Sequence, residues 1–99
     1  MRIDVRSRTV RIPQSLRAII ESRVTTSLAT LSEPIDSVLV TIETEHDPRG
    51  LPAKRCRIEA HCANVGGVGA DGADVDAYSA MHAALGRFRN ELHQASRRA

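Results

Sequence analysis

Residues 74–92, DVDAYSAMHAALGRFRNEL, decide how the rest of the chain reads. Tyr78, Met81, Leu85, Phe88 and Leu92 recur at steps of three and four, the spacing of one apolar stripe on an α-helix. Asp74 and Asp76 stand where that helix should begin, placed to accept free backbone N–H groups and favoured by the positive end of the helix dipole. Arg87 and Arg89 lie off the stripe. The chain has one Tyr and one Phe, and both are on this face, so the face is expected to be the centre of the core. Tyr78, Leu85 and Phe88 should then be buried against Leu16, Val40 and Ile58.

Upstream of the helix the apolar period changes from helical to alternating. Residues 68–73, VGADGA, read as a short strand with Val68, Ala70 and Gly72 inward. Four of the six glycines fall in 66–72, which predicts a weak strand at a sheet edge. Residues 54–62, KRCRIEAHC, put Cys56, Ile58, Ala60 and Cys62 inward and Arg55, Arg57, Glu59 and His61 outward. Residues 37–45, SVLVTIETE, turn Val38, Val40 and Ile42 inward, and Asp47-Pro48-Arg49-Gly50 has the residues of a tight turn between these two strands. The opening RIDVRSR (2–8) sets Ile3 and Val5 against Arg2, Asp4, Arg6 and Arg8. Between it and the second strand, Pro13 suits a first helical turn, and Leu16, Ile20, Val24, Leu28 and Leu31 follow at helical spacing until Pro34.

The expected order is therefore βαβββα, an α+β fold. Three strands form an antiparallel meander, and the first helix is a crossover that lays strand one parallel to strand two. Both helices should cover one face of the four-stranded sheet, with charged rows on the other. Residues 1–95 read as a single domain and residues 96–99 as a mobile tail.

Composition excludes several classes. No apolar run approaches the ~20 residues of a membrane span, and the N-terminus alternates where a signal peptide would be continuously apolar. A cytoplasmic protein is expected, with Cys56 and Cys62 as thiols. Cys56 and Cys62 face inward and His61 outward, so they do not converge on a metal, and no nucleophile has an activating arrangement. Neither enzyme chemistry nor a cofactor is expected. Net charge is only +2, yet residues 1–23 carry six Arg against Asp4 and Glu21, while residues 33–47 carry five acids and no Lys or Arg. Thirteen of the fourteen basic residues are Arg, which suits bidentate phosphate contacts. With both aromatics assigned to the core, an anionic partner would be held by arginine contacts and shape, not by stacking.

Particular residues carry a resemblance. The opening strand runs into a basic residue, Arg8; Leu16-Arg17 enters the first helix; the second strand reads VLVTIE; and Asp76-Ala77-Tyr78-Ser79-Ala80-Met81 opens the last helix. In this order they resemble the ribosome hibernation promoting factor family, also called ribosome-associated inhibitor or sigma-factor modulation proteins, whose last helix opens Asp-x-Tyr-x-Ala-Ile. Lys54-Arg55-Cys56 after a lengthened hairpin resembles a divergent subgroup of short members. The resemblance implies a βαβββα domain laid out like double-stranded-RNA-binding domains. It also implies binding to ribosomal RNA of the small subunit, in the mRNA and tRNA channel, with inhibition of translation under stress. Arg8, Arg23 and Arg87 stand where the family carries Lys or Arg, and Arg89 is the fourth candidate RNA contact. Thr25, Thr26, Asn90 and Gln94 stand where the family is commonly basic. The alternative is a protein-interaction or homodimerisation module of the same fold, using the outer sheet face.

Overall fold

Val5, Val40, Ile58 and Ala70 stand side by side across one sheet, and they show how the four apolar alternations combine. The computed structural model describes residues 1–98. Its strands are β1 (Arg2–Arg6), β2 (Ile35–His46), β3 (Pro52–Cys62) and β4 (Gly66–Asp74), in that spatial order. β1 is parallel to β2 and the other two pairings are antiparallel. Helix α1 (Gln14–Ala29) joins β1 to β2, and α2 (Ala77–Arg98) follows β4. The expected βαβββα order and α+β class are both observed.

The neighbouring rows Ile3–Val38–Ala60–Val68 and Ile42–Cys56–Gly72 point the same way as the first. Ile20, Val24 and Leu28 of α1 and Ala80, Met81, Ala84, Leu85, Phe88 and Leu92 of α2 close over that face. Helix α1 packs on β1, and α2 lies chiefly on β4 and β3. The opposite face carries the charged rows, among them Asp4–Leu39–Glu59 and Arg6–Thr41–Arg57–Asp71. Cys56 and Cys62 are free, buried thiols, as the alternation requires.

Three expectations need correction. Tyr78 is only half-buried; its stripe partners Met81, Leu85, Phe88 and Leu92 fill the interior, while the first turn of α2 reaches the margin of the sheet. Asp74 ends β4 and does not cap the helix; Asp76 does, accepting the Ser79 N–H at 2.8 Å and the Ser79 hydroxyl at 3.1 Å. These bonds, the backbone one foremost, hold the Asp76 carboxyl below its ordinary range. The supposed tail is helical through Arg98, with Arg97 and Arg98 in the last turn where the dipole favours cations; Ala99 lies outside the described residues. As expected, β4 is an edge strand; it runs from Gly66 to Asp74, longer than the expected 68–73, and pairs with β3 throughout. One of its glycines has a specific purpose. A Cβ on Gly72 would come within 2.3 Å of the Ala84 nitrogen and 2.8 Å of the Ala80 carbonyl oxygen. Glycine there lets α2 rest directly on the β4 backbone.

Candidate nucleic-acid interface

Where β1 ends at Arg6, the chain turns around a single carboxylate. Glu43, on the neighbouring β2, accepts the Arg8 N–H at 2.8 Å, the Thr9 N–H at 3.1 Å, the Ser7 and Thr9 hydroxyls at 3.0 Å each, and Arg8 Nε at 3.1 Å. The Arg8 backbone bond leads in pulling the Glu43 pKa down to about 2, against a partial opposing effect of desolvation. The loop is thus folded around the acid and presents Arg8 with its side chain 90% exposed. Arg17, in the first turns of α1, donates to the Val5 carbonyl and ties the helix to the same strand.

The other three candidates occupy different places. Arg87 is exposed on α2 and reaches the Asp71 carbonyl of β4 at 3.1 Å, at the sheet edge opposite Arg8. Arg89 is turned inward between the helices. Its guanidinium donates to the Ser27 carbonyl, the Ser27 hydroxyl at 3.1 Å and the Thr30 hydroxyl at 3.2 Å, closing the C-terminal end of α1 where carbonyls lack helical partners. Arg23 is exposed on α1 and lines an open groove of about 650 Å³ with Leu16, Ala18, Ile19, Ser22, Thr26 and Tyr78. The four arginines therefore do not form one patch: two flank the sheet, one presents to the groove and one joins the helices. Thr25, Thr26, Asn90 and Gln94 are all exposed.

The commitments of the arginines separate structural from available charge. Arg2, Arg6, Arg8, Arg49, Arg55 and Arg57 lie on carboxylates. Arg17, Arg87 and Arg89 donate to backbone carbonyls. Arg11, Arg23, Arg97 and Arg98 have no acceptor among the described residues. Of the four sequence candidates only Arg23 is in that group. Arg11 was not singled out by spacing or motif, and nothing in the sequence distinguishes it from its neighbours. Tyr78 continues the α2 stripe, which places it in the core by spacing; it also opens the stripe, ahead of the first fully buried residues Ala80 and Met81, and that position is the sequence signal for its exposure.

The outer sheet face is electrostatically paired. Arg57 bridges Glu59 at 2.6 Å and Asp71 at 2.9 Å, and Arg55 meets Glu45 at 2.8 Å. A Cβ on Gly69 would come within 2.7 Å of the Arg57 guanidinium, which lies over that glycine. Burial pushes the Cys56 thiol up to about 12. Among the described residues no three His, Cys, Asp or Glu side chains are grouped to hold a metal, and no helix is long and apolar enough to cross a membrane.

Residues 3–99 match the family described as sigma 54 modulation protein / S30EA ribosomal protein. The chain belongs to that family. Sigma 54 modulation/S30EA proteins are ribosome-associated modulation factors, so the resemblance carried by the Asp76–Met81 segment holds for the whole chain. A solved relative in fold is the N-terminal domain of Thermus thermophilus Protein Y, 19% identical, with a TM-score of 0.72 and coverage of 100% of both chains. At that identity the likeness speaks for the S30EA-type fold alone. No curated protein matches the chain.

Proposed function

We propose that this protein binds the small ribosomal subunit in the channel used by mRNA and tRNA and thereby inhibits translation. The observation that carries the reading is the family match over residues 3–99, which spans both helices and every candidate arginine. The mechanism is occupancy, with no covalent chemistry. Arg23 neutralises a phosphate directly, the exposed Arg8 and Arg87 do so by exchanging Glu43 and the Asp71 carbonyl for phosphate, and the helix pair gives the shape that fits between RNA walls. Arg89 contributes indirectly, by fixing α2 against α1.

Sedimentation with purified small subunits at two salt concentrations tests the reading. Binding that weakens steeply as salt rises, together with inhibition of translation in vitro, is the expected outcome. A chain that stays in the supernatant at low salt and leaves translation untouched would overturn it. One observation favours a second reading, docking of the outer sheet face on a protein partner or a second copy. That face is a mixed array of Arg, Asp and Glu already in ion pairs, better suited to another mixed-charge surface than to phosphates. Association of that kind would be seen with a protein partner or a second copy in the absence of RNA.

A further inference from the structure

We propose that the groove between α1 and the first turn of α2 is a nucleobase site, in which an unstacked RNA base lies against Tyr78 and Ile19 while an adjoining phosphate rests on Arg23. This inference rests on the ribosome-binding reading and states how one nucleotide is held.

Three observations converge on it. Tyr78, expected in the core, is a half-buried ring on the groove wall, packed against the core from one side. Its hydroxyl lies 3.0 Å from His82 Nε2, and the two rings meet edge to face with centroids 4.8 Å apart. A ring held in this way loses little freedom when a flat partner stacks on it. Next, α1 has a second stripe beside its buried one. Leu16, Ile19, Arg23 and Thr26 follow each other at steps of three and four, adjacent to Ile20, Val24 and Leu28. Ile19 is 47% exposed, an aliphatic ledge on the groove. Lastly, Arg23 stands on that ledge with no acceptor among the described residues, although most arginines of this protein are committed to carboxylates or carbonyls.

An aromatic face, an aliphatic shelf, a hydroxyl from Thr26 and an unneutralised guanidinium are the groups that single-stranded RNA engages through base, sugar and phosphate. An acidic peptide would use Arg23, but its carboxylates would be disfavoured over the negative face of the Tyr78 ring. Single-stranded RNA is thus the better fit, and it removes the restriction to phosphate contacts that two buried aromatics would have imposed.

Tyr78 is the protein's only tyrosine, so its ring resonances report on this groove alone. The experiment titrates the full chain with an adenylate pentanucleotide and, separately, with an abasic pentamer carrying the same phosphates. The expected result is an upfield shift of the Tyr78 ring signals with the first ligand only, and binding roughly five- to a hundredfold tighter than to the abasic one. Tyr78→Leu should abolish that preference and Tyr78→Phe should retain it, the second variant guarding against a folding defect in the first. Arg23→Gln should weaken both ligands and reduce the log–log salt slope by up to about one unit. Equal affinity for the two pentamers, or ring signals that stay in place, would overturn the site. If wild type and Tyr78→Leu co-sediment equally with small subunits, the groove assignment fails while the ribosome reading stands; if wild type does not co-sediment, the ribosome reading itself fails. Loss of subunit binding in both Tyr78→Leu and Arg23→Gln, without any response to RNA, would assign the groove to a ribosomal protein and overturn the base site.

Discussion

Glu43 accepts hydrogen bonds from three consecutive residues, and its ionisation is therefore linked to the shape of the loop that carries Arg8. Its folded pKa, about 2, lies below the 4.5 of an ordinary glutamate, so the folded state binds this proton less readily than the unfolded chain does. The stabilisation is complete above about pH 4.5, and it declines as pH falls through about 2. Glu43→Gln should accordingly unfold at lower urea than wild type at pH 7, with the gap between the two midpoints closing in the acid range. A gap that persists unchanged at pH 2 would show that the carboxylate charge does not hold the loop. None of this was readable beforehand. The strand alternation identified Glu43 as an outward residue, but its partners lie 34 to 36 positions away, and only the β1–β2 register brings them together. Arg89 was hidden for the same reason: the carbonyl it satisfies is 62 positions distant.

The packing of α2 on β4 turns on the absence of a side chain at Gly72. Ala80 and Ala84 present helix backbone to that point, and a methyl group there would meet the Ala84 nitrogen at 2.3 Å. Because the obstacles are main-chain atoms, the helix must lift as a unit. Gly72→Ala should cost about 1–3 kcal/mol by urea unfolding, the range of overpacked cores. Gly67→Ala, where a Cβ meets nothing within 4 Å, is the matched control and should be close to neutral. Equal effects of the two would mean that glycine acts there only through chain flexibility. The existence, type and order of all six elements were legible, because the inward positions recur at two in the strands and at three to four in the helices. Their ends were less so. Beyond Leu92 the helix buries no further residue, so its last turns leave no apolar trace and persist through backbone bonds, Ala95 and the closing arginines.

Taken as one object, the molecule keeps much of its positive charge occupied internally, and this limits the phosphates it can neutralise. Thr26, on the groove beside Arg23, and Asn90, exposed on α2, are polar positions outside the core. Thr26→Lys and Asn90→Arg should leave stability nearly unchanged. Each should tighten small-subunit binding and steepen the log-affinity against log-salt slope by up to about one unit. Arg87→Ala should act in the opposite direction, with a smaller effect than Arg23→Ala, since Arg87 already donates to the Asp71 carbonyl. If neither added charge tightens binding and both losses are silent, the helical surface is not the RNA face. The sealed cysteines have a consequence of another kind. With Cys56 and Cys62 each no more than 1% exposed, and the Cys56 thiol pushed up to about 12, an alkylating reagent gains access when the sheet opens. The rate of thiol labelling is then a clock for unfolding, read at two residues the chain already carries. Any ligand that binds only the folded chain must slow that clock in proportion to its occupancy. Labelling in the presence and absence of small subunits would therefore weigh the interaction from inside the protein; an unaltered rate at saturating subunits would mean that the bound chain opens as freely as the free one.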